Sequence, residues 1–262
     1  MLLKLIVWTT LGFLLAPLLI IVLFSFHASP SLSFPFTGFS LRWYEELLGN
    51  PQLSAAVLKS LVIALMTATI TLVLGATASL AWLRFGRMGR GLIEVLTVTP
   101  IALPGLFVGV SLLVLFAQAG VQLSTVTIVI SHVVVAIPIM IVAMRARLTL
   151  FDLSLEEAAR DLGAGQRKTF ARVTLPLIAP TLISSSILAF AVSFDEFVVT
   201  SFVAGTETTL PMYIWSMMRR TVTPLINAIS TLALAFSAAI LIGAWVIGRL
   251  RRNSSIASRE AP

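Results

Sequence analysis

Residues 154–176 read SLEEAARDLGAGQRKTFARVTLP, a polar island between two long apolar stretches. On one side lies Thr125–Met144, and on the other a run that begins near Leu177. A membrane helix needs about 20 apolar residues to cross a hydrocarbon core about 30 Å thick. Working outward by that criterion gives six spans, at about 5–26, 53–83, 92–116, 125–144, 177–204 and 226–250. The composition agrees. Of 262 residues, 58% are apolar and 11% charged, less than half the share of about a quarter usual in soluble domains. With a mean hydropathy of +1.02, too little polar surface remains to cover a water-soluble shape. A soluble enzyme, a nucleic-acid binder and a disordered tail are excluded. The expected fold class is an all-α membrane protein with residues 1–262 as a single transmembrane domain.

Lys4 followed by an apolar run has the look of a secretory signal, but an h-region is only about 7–15 residues long and ends at a small-x-small site. Here the run is longer and ends in Phe24-Ser25-Phe26-His27, so a retained helix is expected. Fourteen basic residues fall on one side of a six-span layout: Lys4, the Arg84–Arg90 cluster, the six from Arg145 to Arg172, and those from Arg249 to Arg259. Only Arg42, Lys59, Arg219 and Arg220 fall on the other. The excess marks the cytoplasmic face and places both termini there. The net charge of +7 is thus a topology signal, and no nucleic-acid partner is needed to explain it. The chain has no cysteine, which removes disulfides, thiolate metal sites and a cysteine nucleophile. In the outer loop, residues 41–48 predict a short interfacial helix with Trp43 and Tyr44 at headgroup level.

The island 146–176 is far longer than a helix hairpin requires. Ser154 and Glu157 have capping-box spacing, and Gly163 stands where a helix C-terminus favours a left-handed residue. Leu155, Ala158, Ala159 and Leu162 recur at helical spacing as one apolar stripe, with Glu156, Arg160 and Asp161 off it. A second short helix is predicted over Gln166–Arg172, and Pro176 suits the first turn of the next span. The stripe is read as a docking face whose small alanines admit a partner groove. The alternative is a helix lying flat on lipid, which calls for bulky apolar residues and a strongly basic polar face. Two alanines and four acids (Asp152, Glu156, Glu157 and Asp161) oppose it.

Glu157-Ala158-Ala159, three residues, Gly163, nine residues, then Val173-Thr174-Leu175-Pro176 resembles the EAA loop of binding-protein-dependent ABC importer permeases. Val173 in place of isoleucine is the one departure. The resemblance implies the type I permease fold and makes the island a coupling hairpin, with Leu155, Glu157, Ala158, Ala159, Leu162, Gly163, Leu175 and Pro176 engaging an ATPase cleft. It implies as partners a companion permease subunit, two ATP-binding cassette subunits, a periplasmic solute-binding protein and the lipid bilayer, in a bacterial inner membrane. ATP-driven closure of the ATPase pair would then rotate the helix bundles between outward- and inward-facing states. The chain lacks a Gly-x-x-x-x-Gly-Lys-Ser/Thr loop, so it is expected to bind no cofactor, ATP and Mg being used by the partner ATPase. More narrowly, residues 191–205, 209–213, 215–217 and 222–227 look like the spermidine/putrescine permease subunits of the PotC kind.

Polar groups within the bilayer are the substrate clues, because a charge at a helix centre costs about 2.5–3.5 kcal/mol and tends to face a cavity or a partner. They are Glu94, His132, Asp195 and Glu196. Glu94 has Arg90 four residues before it for pairing, and His132 is read as a hydrogen-bonded core residue. Asp195 stands ~27 Å along a helix counted from Leu177 and is expected to face the translocation cavity, with Glu196 turned about 100° away toward the companion subunit. The alternative is that both cap helix ends or reach headgroups. Phe194, Tyr213 and Trp215 are candidates for cation–π contact with a cationic solute. Polyamine import is the leading reading. Import of another small organic solute and ion-coupled carriage stand as alternatives. An intramembrane hydrolase lacks a plausible base beyond His27 and His132, and a mere scaffold leaves the hairpin without a purpose.

Overall fold

The computed structural model describes residues 1–30, 36–85, 102–220 and 223–257, together with positions 89, 91 and 95. The described chain is almost wholly helical: α1 (Leu2–Phe24), α2 (Arg42–Leu48), α3 (Pro51–Arg84), α4 (Gly105–Gln118), α5 (Thr125–Leu148) and α6 (Ser154–Asp161). Then come α7 (Gln166–Thr169), a π-helical turn (Phe170–Thr174), α8 (Leu175–Asp195), α9 (Val198–Val203), α10 (Leu210–Arg220) and α11 (Pro224–Ala257). Among the described residues four helical runs are long and apolar enough to cross a membrane: Leu2–Phe24, Pro51–Arg84, Thr125–Leu148 and Gln166–Asp195. Gly105–Gln118 and Pro224–Ala239 are shorter apolar helices. Most of residues 92–101 of the expected third span, with Glu94 and its pairing to Arg90, lies outside the described residues.

The chain forms two compact units, Met1–Leu58 with Thr209–Gly243, and Lys59–Thr208 with Ala244–Pro262. In the first, α1 has no buried residue. It ends at Ser25, whose hydroxyl donates to the Val22 carbonyl at 2.6 Å and meets the Tyr44 hydroxyl at 2.7 Å. The chain then turns back through a bridge between His27 and Phe39. Trp43, expected at the headgroups, is buried on α2, and its Nε1–H donates to the His27 carbonyl at 2.6 Å. An indole N–H excluded from water needs such a partner. The loop supplies one, and that fixes α2 against the end of α1.

In the second unit α5 is the central post. Ser124 and Thr127 form a reciprocal capping box at its start, in agreement with the sequence reading that begins this span at Thr125. Met140, Met144 and Leu148 pack with Ile178 and Leu182 of α8, while Leu72, Ala76, Leu80 and Leu83 of α3 close the cluster. Gly75 lets α3 come this near: a Cβ there would collide with the Met140 side chain. At the far end Arg147 donates two N–H groups to the Leu177 carbonyl, at 3.0 and 2.8 Å. That carbonyl lies in the first turn of α8, three residues before Pro180.

Two expected boundaries change. The predicted second hairpin helix, 166–172, is not separate from the fifth span: Gln166–Asp195 is one helical run, with the π turn inside it. Pro176 lacks an N–H, and the wider π register just before it lets the helix pass without that donor. The expected 177–204 span, in turn, is not one helix. It stops at Asp195, Glu196 is extended (φ −71°, ψ 109°), and α9 starts at Val198.

Candidate functional site

The hairpin begins at Asp152, whose Oδ1 accepts the Ser154 backbone N–H at 2.9 Å. This corrects the expected Ser154–Glu157 capping box. Leu153 is the residue before the helix and already has helical dihedrals (φ −64°, ψ −22°). Ser154 is therefore inside the first turn, and the carboxylate two residues earlier does the capping. Hydrogen bonds from Ser154 hold the Asp152 carboxyl below its ordinary value of 3.8. A depressed carboxyl contributes above its unfolded pKa, and this cap is lost only as pH falls through the lowered folded value.

Glu156 organises the hairpin. It is 7% exposed; Oε1 accepts the Thr174 hydroxyl at 2.5 Å and Oε2 pairs with Arg160 at 3.3 Å. A buried carboxylate must be hydrogen-bonded to be tolerated; the Thr174 bond clamps α6 onto the π turn, and Arg160, on α6 itself, satisfies the other oxygen. The apolar stripe is consequently turned outward. Leu155 is 46% and Leu162 89% exposed; Ala158 and Glu157 are exposed and Ala159 is half-buried. Leu175 and Pro176 are exposed where α8 starts. Gly163 has φ +83°, and the amide of Ala164 reaches back to the Ala159 carbonyl at 3.0 Å, so the glycine ends α6 as its position predicts. Sequence reasoning placed Glu156 off the stripe without seeing that it is the anchor. The available signal was its i,i+4 spacing to Arg160.

The second cluster surrounds the break in the fifth span. Glu196 Oε1 accepts the Val199 N–H at 2.9 Å, capping α9, and the Thr200 hydroxyl donates to the Glu196 carbonyl at 2.6 Å. His132 on α5, 2% exposed, sits 2.7 Å from Ser193 Oγ through Nδ1 and 2.8 Å from Thr200 Oγ1 through Nε2. Since the Thr200 hydrogen is given to Glu196, its oxygen accepts from His132. That assigns the ring an Nε2–H and leaves Nδ1 to accept from Ser193. One histidine thus ties the end of α8 to the start of α9. Asp195 is exposed and has no hydrogen-bond or ion-pair partner among the described residues. The two adjacent carboxylates diverge: Glu196 takes the helix-capping alternative, and Asp195 does not. Phe194 is buried and stacked on Phe190 with ring centroids 6.1 Å apart.

Tyr213 and Trp215 belong to the first unit. The Tyr213 hydroxyl accepts from Asn50 Nδ2 at 2.9 Å, while Asn50 Oδ1 caps α3 by accepting from Gln52 and Leu53. Trp215 is 44% exposed and carries the Arg219 guanidinium 5.3 Å above its ring. Back in the second unit, a triad closes the turn after α9: Lys59 Nζ lies 2.8 Å from Glu207 Oε2 and 3.2 Å from Thr125 Oγ1, which donates to Glu207 Oε1 at 3.1 Å. The Lys59 bond holds the Glu207 carboxyl below its ordinary value. Nothing local in the sequence joins residues 59, 125 and 207. Among the described residues no three His, Asp or Glu side chains gather as metal ligands.

Residues 71–256 match the family model described as binding-protein-dependent transport system inner membrane component. The putrescine transport system permease protein PotI of Escherichia coli K12 is 39% identical over 243 residues, 90% of this chain and 86% of its own length. The spermidine/putrescine transport system permease protein PotC of the same strain is 32% identical, over 91% of this chain and 90% of its own length. Among solved structures, a bacterial ABC transporter involved in import of the acidic polysaccharide alginate superposes with a TM-score of 0.69 at 16% identity, over 95% of this chain and 96% of that one. The MetNI methionine ABC transporter gives 0.65 at 16% identity, covering 76% of this chain and 95% of that one. The structural likenesses establish an importer permease fold, and the hairpin falls within the matched region. The chain belongs to the family of binding-protein-dependent transport system inner membrane components, as a permease subunit and not an enzyme.

Proposed function

We propose that this subunit carries a polyamine, putrescine or spermidine, from periplasm to cytoplasm across a bacterial inner membrane. It works beside a companion permease subunit, with six spans and both termini cytoplasmic. Two ATPase subunits bind ATP and Mg and grip the hairpin 146–176; a periplasmic solute-binding protein delivers the substrate. The observation that carries the coupling role is the outward apolar stripe of α6, held in that attitude by buried Glu156. A hairpin folded for its own sake would turn Leu155 and Leu162 inward. For the substrate, the names of the relatives and the unpartnered Asp195 carboxylate agree, since an ammonium group is the natural counter-ion for a carboxylate at a helix break.

Uptake of labelled putrescine and spermidine by the reconstituted transporter tests this reading. Asp195→Asn should lower uptake about 10- to 100-fold, the worth of one charge-assisted hydrogen bond, in a complex shown to retain its ATPase subunits. Unchanged uptake removes Asp195 from the pathway. A helix broken beside a carboxylate is also a feature of ion-coupled carriers, so transport that persists without the ATPase would favour that rival.

A further inference from the structure

At the return arm of the hairpin, the last turns of α3 face α7 and the π turn across an open cleft of about 470 Å³. One wall is Thr77, Leu80, Ala81 and Arg84, at helical spacing along ~10 Å of α3; the other is Arg167 and Phe170. Its chemistry is graded. Leu80, Ala81 and Phe170 are apolar, and the Thr77 hydroxyl is spent on carbonyls of its own helix, at 2.9 and 3.0 Å. The charged end holds two guanidinium groups, both exposed and without an ion-pair or hydrogen-bond partner among the described residues. Among the described residues, no acidic one lines the cleft. A neighbouring cleft of about 430 Å³ also contains Arg84, but there Glu156 and Glu157 offset Arg84 and Arg160. The concentration of positive charge is peculiar to the first. Both walls are ends of helical runs long and apolar enough to cross a bilayer; with the span 53–83 read above, Arg84 would fall at headgroup depth and Leu80 toward the acyl chains.

We propose that this cleft binds one anionic phospholipid, its phosphate between Arg84 and Arg167 and the upper part of an acyl chain against Leu80 and Phe170. A basic pocket between helices on the cytoplasmic side has the chemistry that retains anionic headgroups. The graded lining favours an amphiphile over a free anion, because phosphate alone would leave the apolar end unfilled. One wall of the site belongs to the hairpin itself, and Gln166 lines both clefts. An occupied cleft would therefore brace α7 against α3 while the ATPase works on α6. The proposal rests on the cytoplasmic placement of Arg84 in the reading above.

The test uses the assembled transporter in vesicles of phosphatidylcholine with or without phosphatidylglycerol, followed by native mass spectrometry of the lipid retained. Wild type should keep phosphatidylglycerol in preference to phosphatidylcholine. Arg84→Gln with Arg167→Gln should reduce that preference by about fivefold per arginine, or about 25-fold together. Lysine at both positions should keep most of it. Leu80→Trp, which fills the apolar end and leaves both charges, should reduce retention as well. Wild-type retention in either the glutamine pair or Leu80→Trp overturns the site, and displacement by inorganic phosphate alone replaces lipid with a soluble anion as its ligand. Labelling of Arg84→Cys only from the periplasmic side would instead overturn the orientation, a separate failure.

Discussion

A single buried carboxylate decides which face of the hairpin a partner meets. Glu156 has given up water for the Thr174 hydroxyl and Arg160, and the hydrogen bond to Thr174 is the one excluded from solvent. Thr174→Val keeps the shape and leaves one carboxylate oxygen without its partner. The expected cost is about 1.5–3 kcal/mol, appearing as faster hydrogen exchange across residues 154–163 and weaker ATPase association, with membrane insertion intact. Exchange as slow as wild type would show that the clamp is dispensable. Glu156 was hard to see in the sequence for a plain reason. An acidic residue flanked by Leu155 and Glu157 reads as solvent-facing, and its burial depends on a threonine eighteen residues away that the π turn swings toward it. Glu207 is a similar case, since its partners Lys59 and Thr125 are distant in the chain.

At the level of elements, the helix that was easiest to read was the one with local punctuation. Gly163 announces the end of α6 by its residue type, and its φ of +83° agrees. A β-branched side chain there should strain the turn by about 1–2 kcal/mol. Gly163→Val is accordingly expected to lower ATPase stimulation by the assembled transporter while the helices still insert; normal stimulation would mean that the hairpin tolerates a distorted end. The break at Glu196 carries no such mark. Residues 191–203 contain neither proline nor glycine and are apolar on both sides of the two carboxylates, so hydropathy runs straight through. What ends α8 is tertiary: His132 holds Ser193 and Thr200 at once, and Glu196 caps the next helix with its side chain. The start of α5 is read from its apolar run, which begins at Thr125 just after the Ser124 cap, whereas the cap of α6 is misassigned because two possible caps, Asp152 and Ser154, compete within three residues.

For the molecule as a whole, the distribution of basic residues gives an orientation that chemistry can check, and the absence of cysteine makes the background clean. Asp161→Cys, at the end of α6, should react with a membrane-impermeant maleimide only from the cytoplasmic side. Glu46→Cys, on the exposed side of α2, should react only from the periplasmic side. Labelling of both from one side would break the six-span arrangement. The continuity of Gln166–Asp195 has a mechanical corollary. At 1.5 Å per residue that run is ~43 Å long, with the docking arm at one end and the unpartnered carboxylate at the other. Tilting it by about 10° about its midpoint sweeps each tip by roughly 4 Å, comparable to the width of an alkyl chain. A modest tug on the arm thus suffices, through leverage alone, to widen or pinch a passage at the opposite end.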